Sequence, residues 1–252
     1  MREWVYGRNA VYEVLRSNRR QVFRLRLALG VQSKGRLAEI LDICLRKKVP
    51  VEHATRVQLD SLSPGNQGVA LETSEYPYST LQDILVSATR RKEPPFLLIL
   101  DILQDPQNLG TLLRTAEAVG VHGVVLPLRR AVTVTPSVIN ASAGACEYLL
   151  ITQVNLAQAI STLKENDVWV VGLENHSDAK LPDELRLDGA LALVVGSEGE
   201  GMRSLVRESC DLLMRLPMRG KVESLNAAVA GSIALYLAWG KRGFNIDVFS
   251  KL

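Results

Sequence analysis

The chain of 252 residues is long enough for one large domain or two modest ones, and its 47% hydrophobic and 23% charged residues are typical of a globular protein. No apolar run approaches the ~18 residues of a membrane span and the first residues carry no signal-peptide pattern, so we expect a cytoplasmic protein with no membrane partner. The net charge of +3 is uneven, with 12 Lys/Arg against 4 Asp/Glu in residues 1–50 and 18 against 23 in the rest, which favours nucleic acid as a partner over chance variation of surface charge.

Residues 1–75 are predicted to form a compact α/β unit. Apolar residues repeat at helical spacing in two stretches, and in a third they alternate with arginines, which indicates a half-buried strand. A turn-rich stretch separates the last two strands. The predicted elements are a helix at 10–15, a strand at 23–29, a helix at 37–45 and strands at 49–53 and 68–73.

Residues 76–95 are predicted to be a linker. Prolines near both ends interrupt regular structure, and the apolar residues between 81 and 85 keep the spacing of one helix. We therefore expect two domains joined by this segment.

From residue 96 onward, short apolar strands alternate with helices. This order indicates an α/β fold with a parallel sheet covered on both faces. Ligands of such sheets bind beyond the carboxyl ends of the strands, so the loops after the strands are the candidate sites. The predicted strands lie at 96–100, 121–126, 149–154, 168–173, 191–195 and 212–216, and the helices at 109–119, 136–143, 156–165, 202–208 and 225–239.

The first candidate loop follows the strand at 96–100. Asn108 is placed to cap the next helix, and Gly110 allows close approach of another backbone. Arg114 shares a helical face with Thr111 and Thr115. The spacing is equally compatible with a functional arginine and with a solvated Arg114 paired with Glu117.

The second candidate loop, G-S-E-G-E-G at 196–201, is a glycine-rich turn between a strand and a helix. Such a turn exposes backbone N–H groups and lets a ligand contact the main chain. The order G-x-x-G-x-G differs from the dinucleotide fingerprint G-x-G-x-x-G, which disfavours NAD. Its acidic residues Glu198 and Glu200 favour an uncharged or cationic ligand over a phosphate, and a tight turn without a ligand is the alternative.

The third candidate loop spans 216–226 and enters a helix of small apolar residues that begins at 227. A helix of this composition must be closely approached, either in the core or by a second subunit. Ser224 is a candidate N-cap of that helix.

The possible metal ligands are scattered. The three cysteines form no C-x-x-C pair, and the three histidines are equally far apart. This distribution is typical of reduced thiols in a core, and we expect no metal site.

Together the three loops resemble the signature motifs of the SpoU (TrmH-like) RNA 2′-O-ribose methyltransferases of the SPOUT superfamily. The matching text is N-L-G-x-x-x-R at 108–114, G-S-E-G-E-G at 196–201 and L-P-M…S-L-N at 216–226. The N-terminal V-Y-G-R-N-A-V and Q-G-V, at 5–11 and 67–69, are similar to the L30e-like substrate-binding domain of the branch that methylates a guanosine ribose in 23S rRNA.

The resemblance implies a catalytic domain at 96–252 with a trefoil knot, a preceding L30e-like RNA-binding domain, and a homodimer with active sites near its interface. It implies S-adenosyl-L-methionine as the cofactor and RNA, in particular 23S rRNA, as the partner. Carried over by motif, the cofactor-binding residues are Gly196, Leu216, Met218 and Leu225. The polar catalytic set carried over in the same way is Asn108, Arg114, Glu198, Ser224 and Asn226.

The implied chemistry depends on positioning, because the sulfonium, the methyl group and the ribose oxygen must lie in line. A guanidinium with a pKa above ~12 is a poor base, so we expect Arg114 to orient the oxygen and hold nearby phosphate, with Glu198 anchoring this arrangement.

Three departures from the resemblance stand out. The related N-terminal motifs often have His where this chain has Asn9 and Asn66, and the third motif often has a hydroxyl where this chain has Ala228. The first two concern the RNA target more than the chemistry, and we expect Ala228 to be compatible with activity.

Three other functions remain open from the sequence. They are a non-catalytic RNA-binding protein that keeps the fold, a dehydrogenase, and a methyltransferase of the same family that acts on tRNA or on another rRNA site. The polar set disfavours the first, and the glycine order disfavours the second.

Overall fold

The structure is a computed structural model, and it describes residues 2–63, 65–129, 131–197 and 199–244. The N-terminal part forms a mixed four-stranded sheet with the strand order β1-β4-β2-β3. Only β2 and β3 pair in parallel. Its elements are β1 (Arg2–Tyr6), α1 (Arg8–Ser17), β2 (Val22–Ala28), α2 (Arg36–Arg46), β3 (Val51–Ala54), α3 (Arg56–Asp60) and β4 (Val69–Ser74).

The C-terminal part forms a six-stranded parallel sheet with the order β10-β8-β9-β5-β6-β7. Every residue of its central strands β5 and β9 is buried, because helices cover both faces. The predicted α/β fold with a parallel sheet is therefore confirmed, while the trefoil knot stays a prediction. The elements are α4 (Leu81–Arg91), β5 (Phe96–Leu100), α5 (Pro106–Ala118), β6 (Gly123–Pro127), α6 (Pro136–Ala141), β7 (Leu150–Val154), α7 (Leu156–Glu165), β8 (Trp169–Leu173), β9 (Leu191–Val195), α8 (Ser204–Ser209), β10 (Leu212–Met214) and α9 (Ala227–Lys241), with short 3-10 helices at Ala145–Tyr148 and Pro182–Glu184.

The segment predicted as a linker contains a packed helix. Ile84 and Leu85 of α4 are buried against strands of the parallel sheet, and a Cβ added to Gly123 would lie 2.5 Å from Cδ1 of Ile84. Residues 75–80 alone therefore connect the two sheets, and α4 forms part of the layer that covers the second sheet.

The two sheets share one apolar core, and a buried polar contact joins them. The Arg20 guanidinium lies 2.7 Å from a carboxylate oxygen of Glu147, and both side chains are fully buried. Arg20 also pairs with Glu3 of β1. The Tyr76 hydroxyl lies 2.9 Å from the carbonyl oxygens of Cys146 and Leu149, so side chains on both sides of the junction fix the orientation of the N-terminal sheet.

The cysteine thiols lie in apolar surroundings. Burial raises the pKa of Cys44 to about 11 and the pKa values of Cys146 and Cys210 to about 12. All three therefore stay protonated near neutral pH, which makes them weak nucleophiles and weak metal ligands. Within the described residues, no group of three or more His, Cys, Asp or Glu side chains could hold a metal ion, and no described helix is long and apolar enough to cross a membrane.

Candidate functional site

A pocket of about 300 Å³ lies at the carboxyl ends of β8 and β9. This is the edge of a parallel sheet at which ligands bind. The second and third candidate loops form much of its wall. The lining residues include all four that the resemblance implies for the cofactor, together with one residue of the polar set: Gly196, Leu216, Met218, Leu225 and Ser224.

The glycine-rich loop closes on itself beside the pocket. The amide of Ser197 donates to the carbonyl of Gly201 at 3.0 Å, and the amide of Gly201 donates back at 3.2 Å. A Cβ on Gly196 would lie 2.3 Å from the carbonyl carbon of Gly201, so only glycine fits at position 196. Gly201 has a φ of +69°, which a residue with a side chain rarely adopts. Glu198 lies outside the described residues.

A buried carboxylate ties this loop to the end of β5. The side chain of Asp101 is fully buried and accepts hydrogen bonds from the backbone amide and from Nε of Arg203, both at 2.8 Å. The motif spacing in the sequence indicates neither residue. The sequence does show that Asp101 directly follows a buried strand. A buried carboxylate at that place requires a partner, because an unpaired buried charge is costly.

The described lining of the pocket is acidic. The residues that line it include Glu174, Glu200 and Glu223 and one basic residue, Arg215. One carboxylate oxygen of Glu174 is buried and has no hydrogen-bond partner among the described residues. An acidic lining suits a ligand that carries donors or a positive charge, which agrees with the prediction from the acidic loop.

Two asparagines join the first and third loops. Nδ2 of Asn226 donates to Oδ1 of Asn108 at 3.2 Å. Oδ1 of Asn226 accepts from the amides of Ala228 and Val229, so Asn226, and not Ser224, caps α9. The residue that caps α5 is Asp105.

The prediction that Asn108 caps α5 is therefore wrong. Pro106 provides the first helical residue, for which its fixed φ is suited, and the Asp105 side chain accepts from the amide of Gln107 at 2.9 Å. Asn108 is the third residue of the helix, and its side chain reaches the start of α9.

Arg114 is exposed on α5, six residues after Asn108. Within the described parts of the chain, no hydrogen bond or ion pair joins its guanidinium to Glu117. Spacing of i, i+4 places Arg114 on the same side of α5 as Gly110. A Cβ on Gly110 would lie 2.4 Å from Cβ of Ala141, which makes this glycine the contact point between α5 and α6.

The structure thus groups the implied residues in three places. The four implied cofactor residues and Ser224 line the pocket. Asn226, which directly follows Leu225 in the chain, forms the second group with Asn108. Arg114 lies about 9 Å farther along α5, at a rise of about 1.5 Å per residue.

Two family models match the chain. The model of the SpoU rRNA Methylase family matches residues 95–236. A second model, for RNA 2′-O ribose methyltransferase substrate binding, matches residues 4–79.

Similar proteins match over nearly the full length. YacO of Bacillus subtilis (strain 168), assigned to the TrmH family of tRNA/rRNA methyltransferases, is 43% identical over 245 residues, which cover 95% of this chain and 96% of the relative. A Staphylococcus aureus (strain MSSA476) protein assigned to the same family is 40% identical over 242 residues, with 94% and 96% covered.

Solved structures share the fold. The SpoU methyltransferase AviRb from Streptomyces viridochromogenes, in complex with AdoMet, has a TM-score of 0.79 at 21% identity, and 97% of this chain and 92% of that chain are covered. An AdoMet-bound rRNA methyltransferase from Sinorhizobium meliloti has a TM-score of 0.76 at 22% identity, with 94% and 86% covered.

Proposed function

Because the chain belongs to the SpoU family of TrmH-type RNA methyltransferases, we propose that it transfers a methyl group from S-adenosyl-L-methionine to a ribose 2′-hydroxyl of RNA. The observation that carries the proposal is the pocket at the end of β9, which brings the glycine-rich loop and the third loop together beside the Asn108–Asn226 pair. In this reaction the 2′-oxygen bonds to the methyl carbon, the carbon–sulfur bond breaks with its electron pair left on sulfur, and the hydroxyl proton is released.

The pocket fits this cofactor. Gly196, Leu216 and Leu225 line the pocket, and their main-chain groups could hold the adenosine. The acidic lining suits an amino group and a sulfonium better than it suits a phosphate. AviRb and the Sinorhizobium meliloti enzyme, which share the fold, bind AdoMet.

The protein's own residues position the ribose. When bound, the cofactor supplies an activated methyl group, and the polar set orients the attacking oxygen. The Asn108–Asn226 hydrogen bond holds the start of α5 against the start of α9. The exposed Arg114 guanidinium carries several donors in a fixed plane and can bind the 2′-oxygen or a neighbouring phosphate. Alignment of the reacting atoms contributes ~7–11 kcal/mol to such reactions, which is the main task left to the protein.

We propose a guanosine of 23S rRNA as the substrate nucleotide. The support is the likeness of the N-terminal motifs to the rRNA-modifying branch and the match of residues 4–79 to a substrate-binding family model. The relatives are named for both tRNA and rRNA, so transfer to tRNA is the competing outcome in the experiment below.

We also propose that the enzyme is a homodimer built on the outer face of α9. Four large apolar residues on that face are between 38% and 48% exposed: Val229, Ile233, Tyr236 and Leu237. Their spacing of i, i+4, i+7 and i+8 forms one stripe. Apolar stripes of this kind on a soluble chain mark protein–protein contacts, and a second copy would cover the stripe close to the third loop.

The proposed function is tested by cofactor binding and by methyl transfer. Calorimetric titration should show binding of S-adenosyl-L-methionine and no binding of NAD. Incubation with cofactor labelled in the methyl group should label a 23S rRNA transcript at one 2′-hydroxyl, located by mapping of modified nucleotides. Labelling of tRNA alone would overturn the proposed substrate, and binding of NAD alone would overturn the proposed reaction.

A further inference from the structure

The positive charge of the N-terminal sheet is mostly neutralised within the fold. Residues 1–50 contain twelve Lys and Arg, and seven of them form ion pairs with carboxylates. The charge excess seen in the sequence is therefore concentrated on the few basic side chains that remain unpaired. The paired residues are Arg2, Arg16, Arg20, Arg24, Arg26, Arg36 and Arg46.

Two arginines without a carboxylate partner among the described residues line one cleft. Arg8 at the start of α1 and Arg56 at the start of α3 border an open cavity of about 370 Å³, together with Val31, Gln67 and Gly68. Arg56 is exposed and Arg8 is half-buried. Two cations that face one cavity repel each other unless an anion lies between them, so the cleft is suited to an anionic ligand.

The position of Arg8 is held by two hydrogen bonds to Gln67, which also lines the cavity. Its amide donates to Oε1 of Gln67 at 3.0 Å, and its Nε donates to the carbonyl of Gln67 at 3.3 Å. The terminal nitrogens of the guanidinium remain available. Solvated surface arginines are common. The Nε hydrogen bond of Arg8, however, restricts the rotamers of its side chain, so less conformational entropy is lost when the guanidinium binds a ligand.

The residue before Arg8 packs on α6, and α6 packs on α5, the helix that carries Asn108 and Arg114. Gly7, which precedes Arg8, packs so closely on α6 that a Cβ would lie 2.4 Å from Oδ1 of Asn140. The next residue of α6, Ala141, is the one that contacts Gly110 of α5. Arg114 follows one turn later on that side of α5. The short helix α6 therefore packs both against the residue that precedes Arg8 and against α5.

We propose that the Arg8–Arg56 cleft binds the backbone phosphates of the RNA strand that presents its ribose to Arg114. This inference rests on the proposed function and adds the surface on which the substrate is held. Because arginine contacts to phosphate carry no sequence information, the cleft supplies affinity and register while other contacts select the nucleotide.

The test compares two double variants of equal net charge. Arg8→Gln/Arg56→Gln removes the cleft arginines, and Arg36→Gln/Arg46→Gln removes two arginines of the same sheet unit that are paired with Glu39 and Asp42. Binding of a labelled 23S rRNA transcript is measured by filter binding across a series of salt concentrations. Thermal unfolding of each variant, and the single variant Arg56→Gln, separate loss of binding from loss of fold.

We expect the cleft variant to raise the Kd about tenfold or more and to reduce the slope of log K against log salt by about 2, which is about 1 for each phosphate contact. The single variant should reduce the slope by about 1, and the control should resemble the wild-type protein. A cleft variant that binds like the control would overturn the inference, whether or not the wild-type protein methylates RNA. If the cleft variant loses RNA binding while the wild-type protein transfers no methyl group, the cleft stands and the proposed function fails.

Discussion

At the scale of single residues, Arg114 is the side chain whose substitution best separates chemistry from binding. Arg114→Lys keeps the positive charge and removes the planar set of donors. We expect a rate of single-turnover methyl transfer at saturating RNA at least about tenfold lower, because the loss of one charged hydrogen bond in the transition state costs ~1.5–3 kcal/mol. Calorimetric affinity for the cofactor should not change, since Arg114 does not line the pocket.

The control for this substitution is Arg186→Lys. Arg186 is 86% exposed and pairs with Asp188 far from the polar set, so this variant should transfer methyl groups at the wild-type rate. A wild-type rate in Arg114→Lys as well would show that Arg114 is an ordinary surface residue.

Asp101 tests whether the glycine-rich loop must be held in place. Asp101→Asn removes the charge that binds the backbone and side chain of Arg203. We expect the free energy of unfolding to fall by about 1–3 kcal/mol, since a buried acceptor then meets its donors imperfectly. Cofactor affinity measured by calorimetry should fall as well. Asp188→Asn, at an exposed pair, is the control, and cofactor affinity equal to that control would contradict the role assigned to Asp101.

The sequence predicted the position of the site better than its internal contacts. The order of the glycines and the position of the loops after strands indicated the pocket, because these features depend on the local sequence alone. The Asp101–Arg203 contact joins residues that are 102 apart in the chain, and spacing does not report such a contact. Asn108 was misinterpreted as a helix cap because Asp105 and Pro106 together already provide a favourable helix start.

At the scale of elements, α9 has two faces with different partners. Small residues, including Gly231 and Ala234, are buried within the chain together with Leu235, while Val229, Ile233, Tyr236 and Leu237 are partly exposed. The composition of this helix is compatible with small residues that face the core or a second subunit, and the structure places them in the core.

Gly231 makes the inner face of α9 sensitive to added bulk. A Cβ there would lie 2.6 Å from Cδ2 of Leu112 and 3.1 Å from Cγ2 of Val195. Gly231→Ala gains ~1 kcal/mol of helix propensity and loses ~1–3 kcal/mol through overpacking, so we expect a net loss of stability. Thermal unfolding measures the change. Gly240→Ala in the same helix would contact the ring of Phe244, an exposed side chain that can move, and it should not lower the melting temperature.

The outer face of α9 carries the proposed dimer contact. Ile233→Asp places a charge in the centre of the exposed stripe, where Ile233 is 40% exposed in the single chain. A buried unpaired charge is costly, so light scattering should show a monomer at micromolar concentration for this variant and a dimer for the wild-type protein. A wild-type monomer under the same conditions would remove the basis for the proposed dimer.

The bounds of two fully buried strands were predicted correctly, whereas one partly exposed strand was missed. The strands β5 and β9 read as continuous apolar runs, and their predicted bounds match the structure. The strand β1 was not predicted, because Val5 is its one buried residue and the others remain partly exposed. Its pairing with β4 depends on a register that only the folded sheet provides.

At the scale of the whole molecule, the two sheets are held together by a buried polar junction that the sequence did not indicate. The chain passes between them through residues 75–80, yet Arg19, Arg20 and Tyr76 bind groups near the 3-10 helix Ala145–Tyr148. Interfaces between domains are ordinarily exposed enough to permit relative motion. Here, a charge pair without solvent contact favours one orientation, because separating the pair would leave each charge without its partner.

Glu147→Ala should therefore affect both stability and RNA use. The substitution leaves Arg20 buried with only Glu3 as a carboxylate partner, and removal of one member of a buried pair typically costs ~3–5 kcal/mol. We expect a clearly lower melting temperature in calorimetry. At a permissive temperature we expect a lower kcat/KM for RNA, because the N-terminal sheet would no longer be held in one orientation. The affinity for the cofactor should not change. The control is Glu52→Ala, since Glu52 is 43% exposed in its pairs with Arg24 and Arg26, and exposed pairs contribute ~0–1 kcal/mol. If the two variants unfold at the same temperature and use RNA equally well, the junction does not set the orientation of the RNA-binding part. The position of the Arg8–Arg56 cleft relative to Arg114 would then not matter for catalysis.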